Sequence, residues 1–367
     1  MAIASAPQQT GPLPDIGQLS FGVSDSRVRK RLVGMLQAMG YTVQTVDGNT
    51  IGIEVESASL EFLMDAISSE LAAEEFAAIR VRLVSADNGK STVLSNSEMA
   101  TAEELIARVE SAWLVSLLRD GKLSTFFQPV VQMDSGSVVG YECLLRAFDS
   151  LGHSVSPSRA FASASDLDLL PQLDRKARRM AIVAAGKSKG EGIFFLNTHP
   201  QSSESVADAV RSTLDTASEQ GLSPDRIVLE LTGSGANADV NRISELCHGY
   251  RKAGFRIALD DVEPGFRSLS LVADLLPDFV KLDMRLTRRP SLDSLRQTVT
   301  RHVLDRVAKA GVSSVVKGIE TADEWDWCRK HGACYAQGLF FAAPLPAVSP
   351  EPTNPAFRVD ERGEVAA

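Results

Sequence analysis

Eight short apolar segments recur between residues 111 and 346, and helical stretches separate most of them. Eight strands that alternate with helices over about 230 residues are typical of a (β/α)8 barrel, an α/β fold in which functional side chains lie at the carboxyl ends of the strands. This repeat limits the possible folds more than any other feature of the chain. The predicted strands are residues 125–132, 138–145, 193–196, 226–229, 256–259, 278–282, 313–316 and 335–340.

Polar side chains stand within or at the ends of these predicted strands. Because an unpaired charge in a protein interior is costly, packing alone does not explain several carboxylates that converge on one end of a barrel. A divalent cation that prefers oxygen ligands, Mg²⁺ or Mn²⁺, would explain them. The alternative is that each charge caps the following helix or pairs locally. The residues are Glu142, Asn197, Glu230, Asp260, Asp261, Lys281, Asp283, Lys317 and Gln337.

The remaining sequence predicts a second, smaller domain in front of the barrel. Residues 18–100 have the pattern of a small α+β domain, and an amphipathic helix over 101–120 would link it to the barrel domain, 121–346. The proline-containing ends, 1–17 and 347–367, have no apolar period and are expected to be flexible.

Local signals within the small domain indicate alternating helices and hairpins. Apolar residues recur at helical spacing over 26–39 and 58–71, whereas alternation over 42–46 and 50–55 indicates a hairpin. An Asn-Gly pair is the strongest short hairpin signal, and Asn88-Gly89 would join strands at 79–85 and 91–94. No residue pattern in this domain points to catalysis.

Composition and charge exclude several classes of protein. Hydrophobic residues make up 44% and charged residues 23% of the 367 residues, as in an ordinary globular protein. A net charge of -9 without a large basic patch argues against nucleic-acid binding. No apolar run is long enough for a membrane span, and the start lacks the features of a secretion signal. With four scattered cysteines, a cytoplasmic protein is expected.

Several short motifs follow one another in a fixed order between Phe126 and Pro344. They are Gln128-Pro129, Glu142-Cys143-Leu144-Leu145-Arg146, Asn197 after Phe195-Leu196, Glu230-Leu231-Thr232, Asp260-Asp261, Lys281-Leu282-Asp283, Gly318-Ile319-Glu320-Thr321 and Gln337-Gly338. In this order they resemble the EAL domain, the bacterial phosphodiesterase that linearises cyclic di-GMP. The resemblance implies a modified TIM barrel and does not extend to residues 1–110.

The resemblance also implies roles for individual residues. Glu142, Asn197, Glu230 and Asp260 would hold a first Mg²⁺ or Mn²⁺ ion, and Asp260 and Asp261 would reach a second. Lys281 would orient or acidify the attacking water. The positions that would contact the nucleotide or support the site are Gln128, Leu144, Arg146, Glu320, Gln337 and Pro344.

Three departures from the family pattern concern the second cation and the loop beside it. Lys317 stands where the family has a glutamate, Gly233 replaces the second glutamate of E-x-T-E, and Glu263-Pro264 alters the loop after the aspartate pair. Because a protonated ammonium repels a dication, the second site is predicted to be incomplete. Lys317 would either form a salt bridge to Asp261 or Glu230, or face a phosphate in place of the metal.

Three hypotheses about function follow. The first is a cyclic di-GMP signalling protein whose degenerate EAL domain is a receptor for the dinucleotide or a module for an unidentified protein partner. The second is an active Mg²⁺- or Mn²⁺-dependent phosphodiesterase that produces linear pGpG, with Lys281 in the catalytic set. The third is a pure interaction scaffold. A homodimer through the helix and loop after Asp261 is a further expectation from the resemblance.

Overall fold

The computed structural model describes residues 16–56, 59–85, 99–111, 113–120, 123–148, 154–188, 190–202, 205–232, 239–263, 265–288, 294–355 and 357. The chain divides into two compact units. The first, the N-terminal unit, consists of Met1–Lys122 and Ala147–Leu170. The second, the barrel unit, consists of Leu123–Arg146 and Pro171–Ala367.

The strands form a five-stranded sheet and a second sheet of nine strands, eight of which close into a barrel. In chain order they are β1 (Ile16–Gly22), β2 (Gln44–Thr45), β3 (Thr50–Glu56), β4 (Arg80–Ser85), β5 (Ala100–Thr101), β6 (Leu123–Gln132), β7 (Val138–Phe148), β8 (Ser154–Val155), β9 (Ile193–Thr198), β10 (Ile227–Thr232), β11 (Arg256–Val262), β12 (Phe279–Leu282), β13 (Ser313–Val316) and β14 (Tyr335–Ala336).

The helices cover the faces of these sheets. Within the described ranges, no helix is long and apolar enough to cross a membrane. They are α1 (Ser26–Ala38), α2 (Leu60–Glu70), α3 (Ala73–Ala77), α4 (Ala102–Ser111), α5 (Trp113–Asp120), α6 (Pro157–Asp166), α7 (Leu170–Lys187), α8 (Val206–Glu219), α9 (Val240–Lys252), α10 (Phe266–Leu275), α11 (Met284–Thr287), α12 (Ser294–Lys309) and α13 (Ala322–Lys330).

The N-terminal unit contains a five-stranded antiparallel sheet in the order β2-β3-β1-β4-β5. The predicted helix over 26–39 is confirmed as α1, whose first N–H groups donate to the Asp25 side chain. The predicted hairpin of 42–46 with 50–55 is confirmed by the pairing of β2 with β3. The Asn88-Gly89 turn and the strand at 91–94 lie outside the described residues.

The central strand of this sheet, β1, was not predicted. It begins at Ile16, inside the segment 1–17 that was expected to be flexible, and it pairs with both β3 and β4. Its sequence mixes glycine and polar residues with Leu19 and Phe21, which are fully buried. Too few apolar residues alternate there for the strand to be visible in the sequence.

Residues 147–170, which the sequence placed in the barrel domain, group with the N-terminal unit. Helix α6 packs on α4 and α5 there. The Arg159 guanidinium lies 5.4 Å from the centroid of the Trp113 ring, at cation–π distance.

The barrel unit contains the expected modified TIM barrel. Its strands follow the order β6-β14-β13-β12-β11-β10-β9-β7, and pairing of β6 with β7 closes the circle. Going round the barrel from β7 through β9, β10, β11, β12 and β13 to β14, each strand is parallel to the next. Strand β6, in contrast, is antiparallel to β14. The single reversed strand follows from the tight β6–β7 hairpin, since two strands joined by so short a turn run antiparallel.

The segment after β14 is packed against the barrel unit, which differs from the flexible tail expected from residue 347. The Tyr141 hydroxyl donates to the Ser349 carbonyl at 2.9 Å, and the Asn354 N–H donates to the Phe341 carbonyl at 2.9 Å. Phe357 is buried, with its ring 5.5 Å from Trp325 and 4.8 Å from Phe341 between centroids. This one aromatic side chain gives the proline-containing segment an apolar anchor.

A candidate polar site at the carboxyl ends of the barrel strands

The alternation of side chains along the strands places six of the predicted site residues in one layer. Residues two positions apart on a strand face the same side, and six buried residues, one from each of six strands, pack together inside the barrel. Six polar residues lie two positions from these apolar ones, on the same face. The polar and apolar partners are Gln128 and Val130, Asn197 and Phe195, Glu230 and Val228, Asp260 and Ala258, Lys281 and Phe279, and Lys317 and Val315.

The centre of this layer is a buried ion-pair triad. The Lys281 ammonium, which is fully buried, donates to Glu142 Oε2 at 2.7 Å and to Glu230 Oε1 at 2.6 Å. Glu230 is 1% exposed and Glu142 is 8% exposed, so all three charged groups are nearly removed from water. Such a triad is stable only because the lysine neutralises and donates hydrogen bonds to both carboxylates.

Burial and mutual charge shift the three pKa values in different directions. Burial alone would raise the pKa of Glu142, but the charge and hydrogen bond of Lys281 and a hydrogen bond from Gln337 outweigh it and lower this pKa to about 2. Burial and the neighbouring Glu142 charge raise the pKa of Glu230 well above its ordinary value. Burial opposes the charge of Lys281, yet Glu142, Glu230 and Asp260 raise the pKa of Lys281, which therefore stays protonated. Glu142 is thus the firmly ionised partner of the lysine.

Two amide side chains contact Glu142, and a third contacts one of them. Asn197 Nδ2 donates to Glu142 Oε1 at 3.3 Å, and Gln337 Nε2 donates to Glu142 Oε2 at 2.6 Å. The same Gln337 nitrogen donates to Gln128 Oε1 at 3.0 Å, and Gln128 Nε2 donates to the Ala342 carbonyl at 3.2 Å. This network joins β6, β7 and β9 to the loop after β14 and leaves Glu142 little freedom to rotate.

A second cation–carboxylate group lies beside the triad. The Lys317 ammonium donates to Asp260 Oδ1 at 2.7 Å and also to Asp261 Oδ1. Asp261 has a φ of 51°, a left-handed conformation that is uncommon for a non-glycine residue. Burial would lower the pKa of Lys317, but Asp260 and Asp261 outweigh it and raise this pKa. The salt bridge to Asp261 that the sequence offered as one alternative is therefore present, and it includes Asp260 rather than Glu230.

Arginines from α11 and the residue after it pair with acidic residues at the rim. Arg285 forms hydrogen bonds with both carboxylate oxygens of Asp283, at 3.0 and 2.7 Å, and with Glu263. Arg288 pairs with Glu320, one of the predicted nucleotide contacts. Neither arginine was singled out from the sequence, because a short helix after K-x-D carries no spacing signal for its contacts.

The remaining predicted nucleotide contacts lie on β7 and in the loop after β14. Leu144 is half-buried and lies two positions after Glu142, on the same face. Arg146 is half-buried, donates to the Leu145 carbonyl and lies 5.2 Å from the centroid of the Phe126 ring. Pro344 is half-buried.

Gly233 and Pro264, two of the departures from the family pattern, lie outside the described residues.

The donor groups fit divalent cations only in part. Glu142, Asn197, Glu230 and Asp260 are oxygen donors of the right kind, and Glu230 Oε2 is buried with no hydrogen-bond partner among the described residues. The ammonium of Lys317, however, stands between the two aspartates that a second cation would need. Within the described ranges, no three carboxylate, imidazole or thiol groups lie together as a preformed metal site. The arrangement does not fit a pair of cations.

The backbone directly after Lys317 leaves little room for a side chain at Gly318, and this can be tested. Gly318 has a φ of 72°, and a Cβ there would lie 2.8 Å from Met284 Cβ. Gly311 has a φ of 74° with open space around it. We expect Gly311→Ala to lower the free energy of unfolding by about 1 kcal/mol through backbone strain alone. Gly318→Ala should lower it by about 1–3 kcal/mol more, because it adds an overpacked contact. Urea denaturation of the two variants measures the difference, and equal losses would show that the Met284 contact yields without cost.

Comparison with known proteins finds relatives for the barrel part of the chain. Residues 111–344 match the EAL domain family. The chain is 28% identical over 257 residues to the probable cyclic di-GMP phosphodiesterase PdeB of Escherichia coli strain K12, and the match covers 66% of this chain and 47% of that protein. The chain therefore spans about half the length of this curated relative.

Two solved structures share the barrel. A standalone versatile EAL protein from Vibrio cholerae O395, in its c-di-GMP-bound form, is 28% identical with a TM-score of 0.55, covering 63% of this chain and 98% of that one. The Bacillus subtilis YkuI protein, solved with substrate c-di-GMP and calcium, is 21% identical with a TM-score of 0.56, covering 65% of this chain and 60% of that one. A relative with this fold thus holds both a metal ion and the dinucleotide.

Proposed function

Because the chain belongs to the EAL domain family, we propose that it is a cyclic di-GMP signalling protein whose barrel binds the dinucleotide without hydrolysing it. The observation that carries this proposal is the position of the Lys317 ammonium between Asp260 and Asp261. Two-metal hydrolysis of a phosphodiester needs a cation at that position to stabilise the attacking and leaving oxygens. An ammonium cannot coordinate a water or a phosphoryl oxygen as a Lewis acid does.

Ligand recognition is supported by groups that do not depend on the second cation. Gln128, Gln337 and Glu142 form one hydrogen-bonded network, and Leu144 lies on the same face of β7 as Glu142. Arg146 is half-buried and lies beside Phe126. A guanidinium suits a phosphate, and an aromatic ring suits a nucleobase, so these residue types match the two chemical parts of a nucleotide.

The buried triad would then have a positioning role. Lys281 holds Glu142 and Glu230 together and cannot release its proton, since their charges raise its pKa. A divalent cation, if bound by Glu142, Asn197, Glu230 and Asp260, would supply positive charge for a phosphate. The residues of the chain itself hold the carboxylates in position, exclude water from the triad and maintain the hydrogen bonds of the amide network.

A combined binding and turnover assay tests the proposal. The protein is titrated with cyclic di-GMP by calorimetry, and a second sample is incubated with the dinucleotide and Mn²⁺ and analysed by chromatography for linear pGpG. We expect binding heat and no pGpG above that of a blank without protein. Glu142→Ala is the matched control, because it removes the carboxylate at the centre of the network. Formation of pGpG by the wild type that Glu142→Ala abolishes would overturn the proposal.

The second candidate function is an active Mg²⁺- or Mn²⁺-dependent phosphodiesterase. It is favoured by the buried Glu230 Oε2, which has no hydrogen-bond partner among the described residues and is the kind of donor that a cation would occupy. The same assay separates this candidate from the first. An interaction scaffold, the third hypothesis, would give neither binding heat nor product.

A further inference from the structure

The backbone, rather than the lysine side chain alone, determines where the Lys317 ammonium lies. Val316, the residue before it, pairs with Leu282 of β12 and with Ala336 of β14. The Lys317 carbonyl accepts a hydrogen bond from Thr287 Oγ1 at 2.6 Å. Gly318 then turns the chain with a positive φ that few other residues adopt. The lysine is therefore anchored on both sides and points into the site from a fixed position.

The two lysines of the site differ in their access to a ligand. The side chain of Lys281 is fully buried and is used by Glu142 and Glu230, whereas the side chain of Lys317 is 20% exposed. An ammonium has three N–H donors. In the part of the chain that the structure describes, Lys317 directs hydrogen bonds to Asp260 and Asp261, which leaves one donor for a ligand.

We propose that the Lys317 ammonium is a resident cation that replaces one divalent metal ion and lets the site bind a phosphodiester without added metal. The inference rests on the proposed function, since the phosphodiester is that of a cyclic dinucleotide. The remaining N–H of Lys317 donates to a phosphate oxygen, as lysine commonly does at phosphate sites. Asp260 and Asp261 hold the ammonium at the position that a metal ion would otherwise occupy.

The charge balance explains why this arrangement is self-sufficient for binding but unsuited to a second metal. With no cation, Asp260 and Asp261 would repel both each other and the phosphate of a ligand. The ammonium reduces that repulsion permanently, at any concentration of divalent metal. It also repels an incoming dication, so Asp260 and Asp261 cannot together hold a second metal ion while Lys317 is present.

The test compares cyclic di-GMP affinity in EDTA with affinity in Mg²⁺, measured by calorimetry on the full chain. The wild type should bind with dissociation constants that agree within about threefold between the two conditions, because the required cation is covalently attached. Lys317→Gln should bind at least about tenfold more weakly in EDTA, since it loses a charge-assisted hydrogen bond. Lys317→Arg retains the charge and should keep metal-free binding that Lys317→Gln loses.

Lys309→Gln is the matched control for loss of one positive charge. Lys309 is exposed at the end of α12, which precedes β13, so it lies at the opposite end of the barrel from Lys317. The Lys309→Gln variant should bind cyclic di-GMP as the wild type does, and circular dichroism should show that all variants are folded. Wild-type binding that requires Mg²⁺, or Lys317→Gln binding equal to wild type in EDTA, would overturn the role of Lys317 while leaving the proposed function standing. Absence of binding in both conditions would instead overturn the proposed function itself.

Discussion

Replacing Lys281 by methionine is expected to lower the free energy of unfolding by about 3–5 kcal/mol. Methionine has a similar length but no charge, so Glu142 and Glu230 would be left side by side without a counter-ion. Both are almost fully buried, at 8% and 1% exposure, and cannot be rehydrated without opening the barrel. Urea denaturation at neutral pH, followed by circular dichroism, measures the loss.

The dependence of this loss on pH distinguishes a buried-charge effect from a packing effect. In the variant, burial and mutual repulsion would raise the pKa of both carboxyl groups above their unfolded values. A carboxyl group with a raised pKa destabilises the folded state as pH rises above its unfolded pKa, so the loss should be larger at pH 8 than at pH 5.5. A loss that is equal at both pH values would contradict the ion-pair explanation.

A triple variant provides the matched control. Lys281→Met combined with Glu142→Gln and Glu230→Gln removes the lysine together with the two charges that it neutralises. Since replacing a whole buried ion cluster by neutral groups costs far less than removing one partner, most of the lost stability should return. A triple variant that is as unstable as Lys281→Met would show that the lysine stabilises the barrel by its packing alone.

The barrel was predictable because its strands carry a strong periodic signal. Buried parallel strands are nearly continuous apolar runs, and each of the eight predicted segments overlaps one strand of the barrel. The last segment was predicted to extend to residue 340, but β14 ends at Ala336. From Gln337 onward the backbone hydrogen bonds connect to Val316 and Ile319 in the loop region instead of extending the ladder. Apolar composition alone cannot separate a strand from a buried loop.

The residues that form the candidate site were predictable from the sequence, but which of them pair with one another was not. Strand alternation brings Glu142, Glu230 and Lys281 to one layer, which is a property of spacing alone. Which carboxylate pairs with which lysine depends on the stagger of neighbouring strands and on the left-handed backbone at Asp261. Neither is encoded in a local pattern. The contacts of Arg285 and Arg288 depend likewise on how α11 lies against the rim, and no sequence motif reports that.

The second large effect is expected from Lys317→Glu, which should raise Mn²⁺ affinity by at least about tenfold. The lysine and the two aspartates that it contacts carry a summed charge of -1, and the substitution changes this sum to -3. The added carboxylate is also an oxygen donor, so it can coordinate the ion as well as attract it. Calorimetric titration with Mn²⁺ and the rise in melting temperature with added Mn²⁺ give two independent measurements.

Lys317→Gln separates the two contributions, because it removes the positive charge and adds no ligand carboxylate. Its Mn²⁺ affinity should therefore lie between those of the wild type and Lys317→Glu. In the absence of metal, Lys317→Glu should also be less stable than Lys317→Gln, since three carboxylates would face one another. Indistinguishable Mn²⁺ titrations for the wild type and Lys317→Glu would show that Lys317 does not control the cation position.

Hydrolysis should respond less than metal binding to the same substitution. Lys317→Glu restores a carboxylate at the cation position, but Gly233 and the Glu263-Pro264 loop still depart from the family pattern. Glu263 pairs with Arg285, which ties the loop after the aspartate pair to α11. We therefore expect weak pGpG formation from Lys317→Glu and more from Lys317→Glu combined with Gly233→Glu. Because Mn²⁺ binding and pGpG formation are measured separately, a variant that binds the ion without product formation would place the remaining defect in this loop rather than at the metal position.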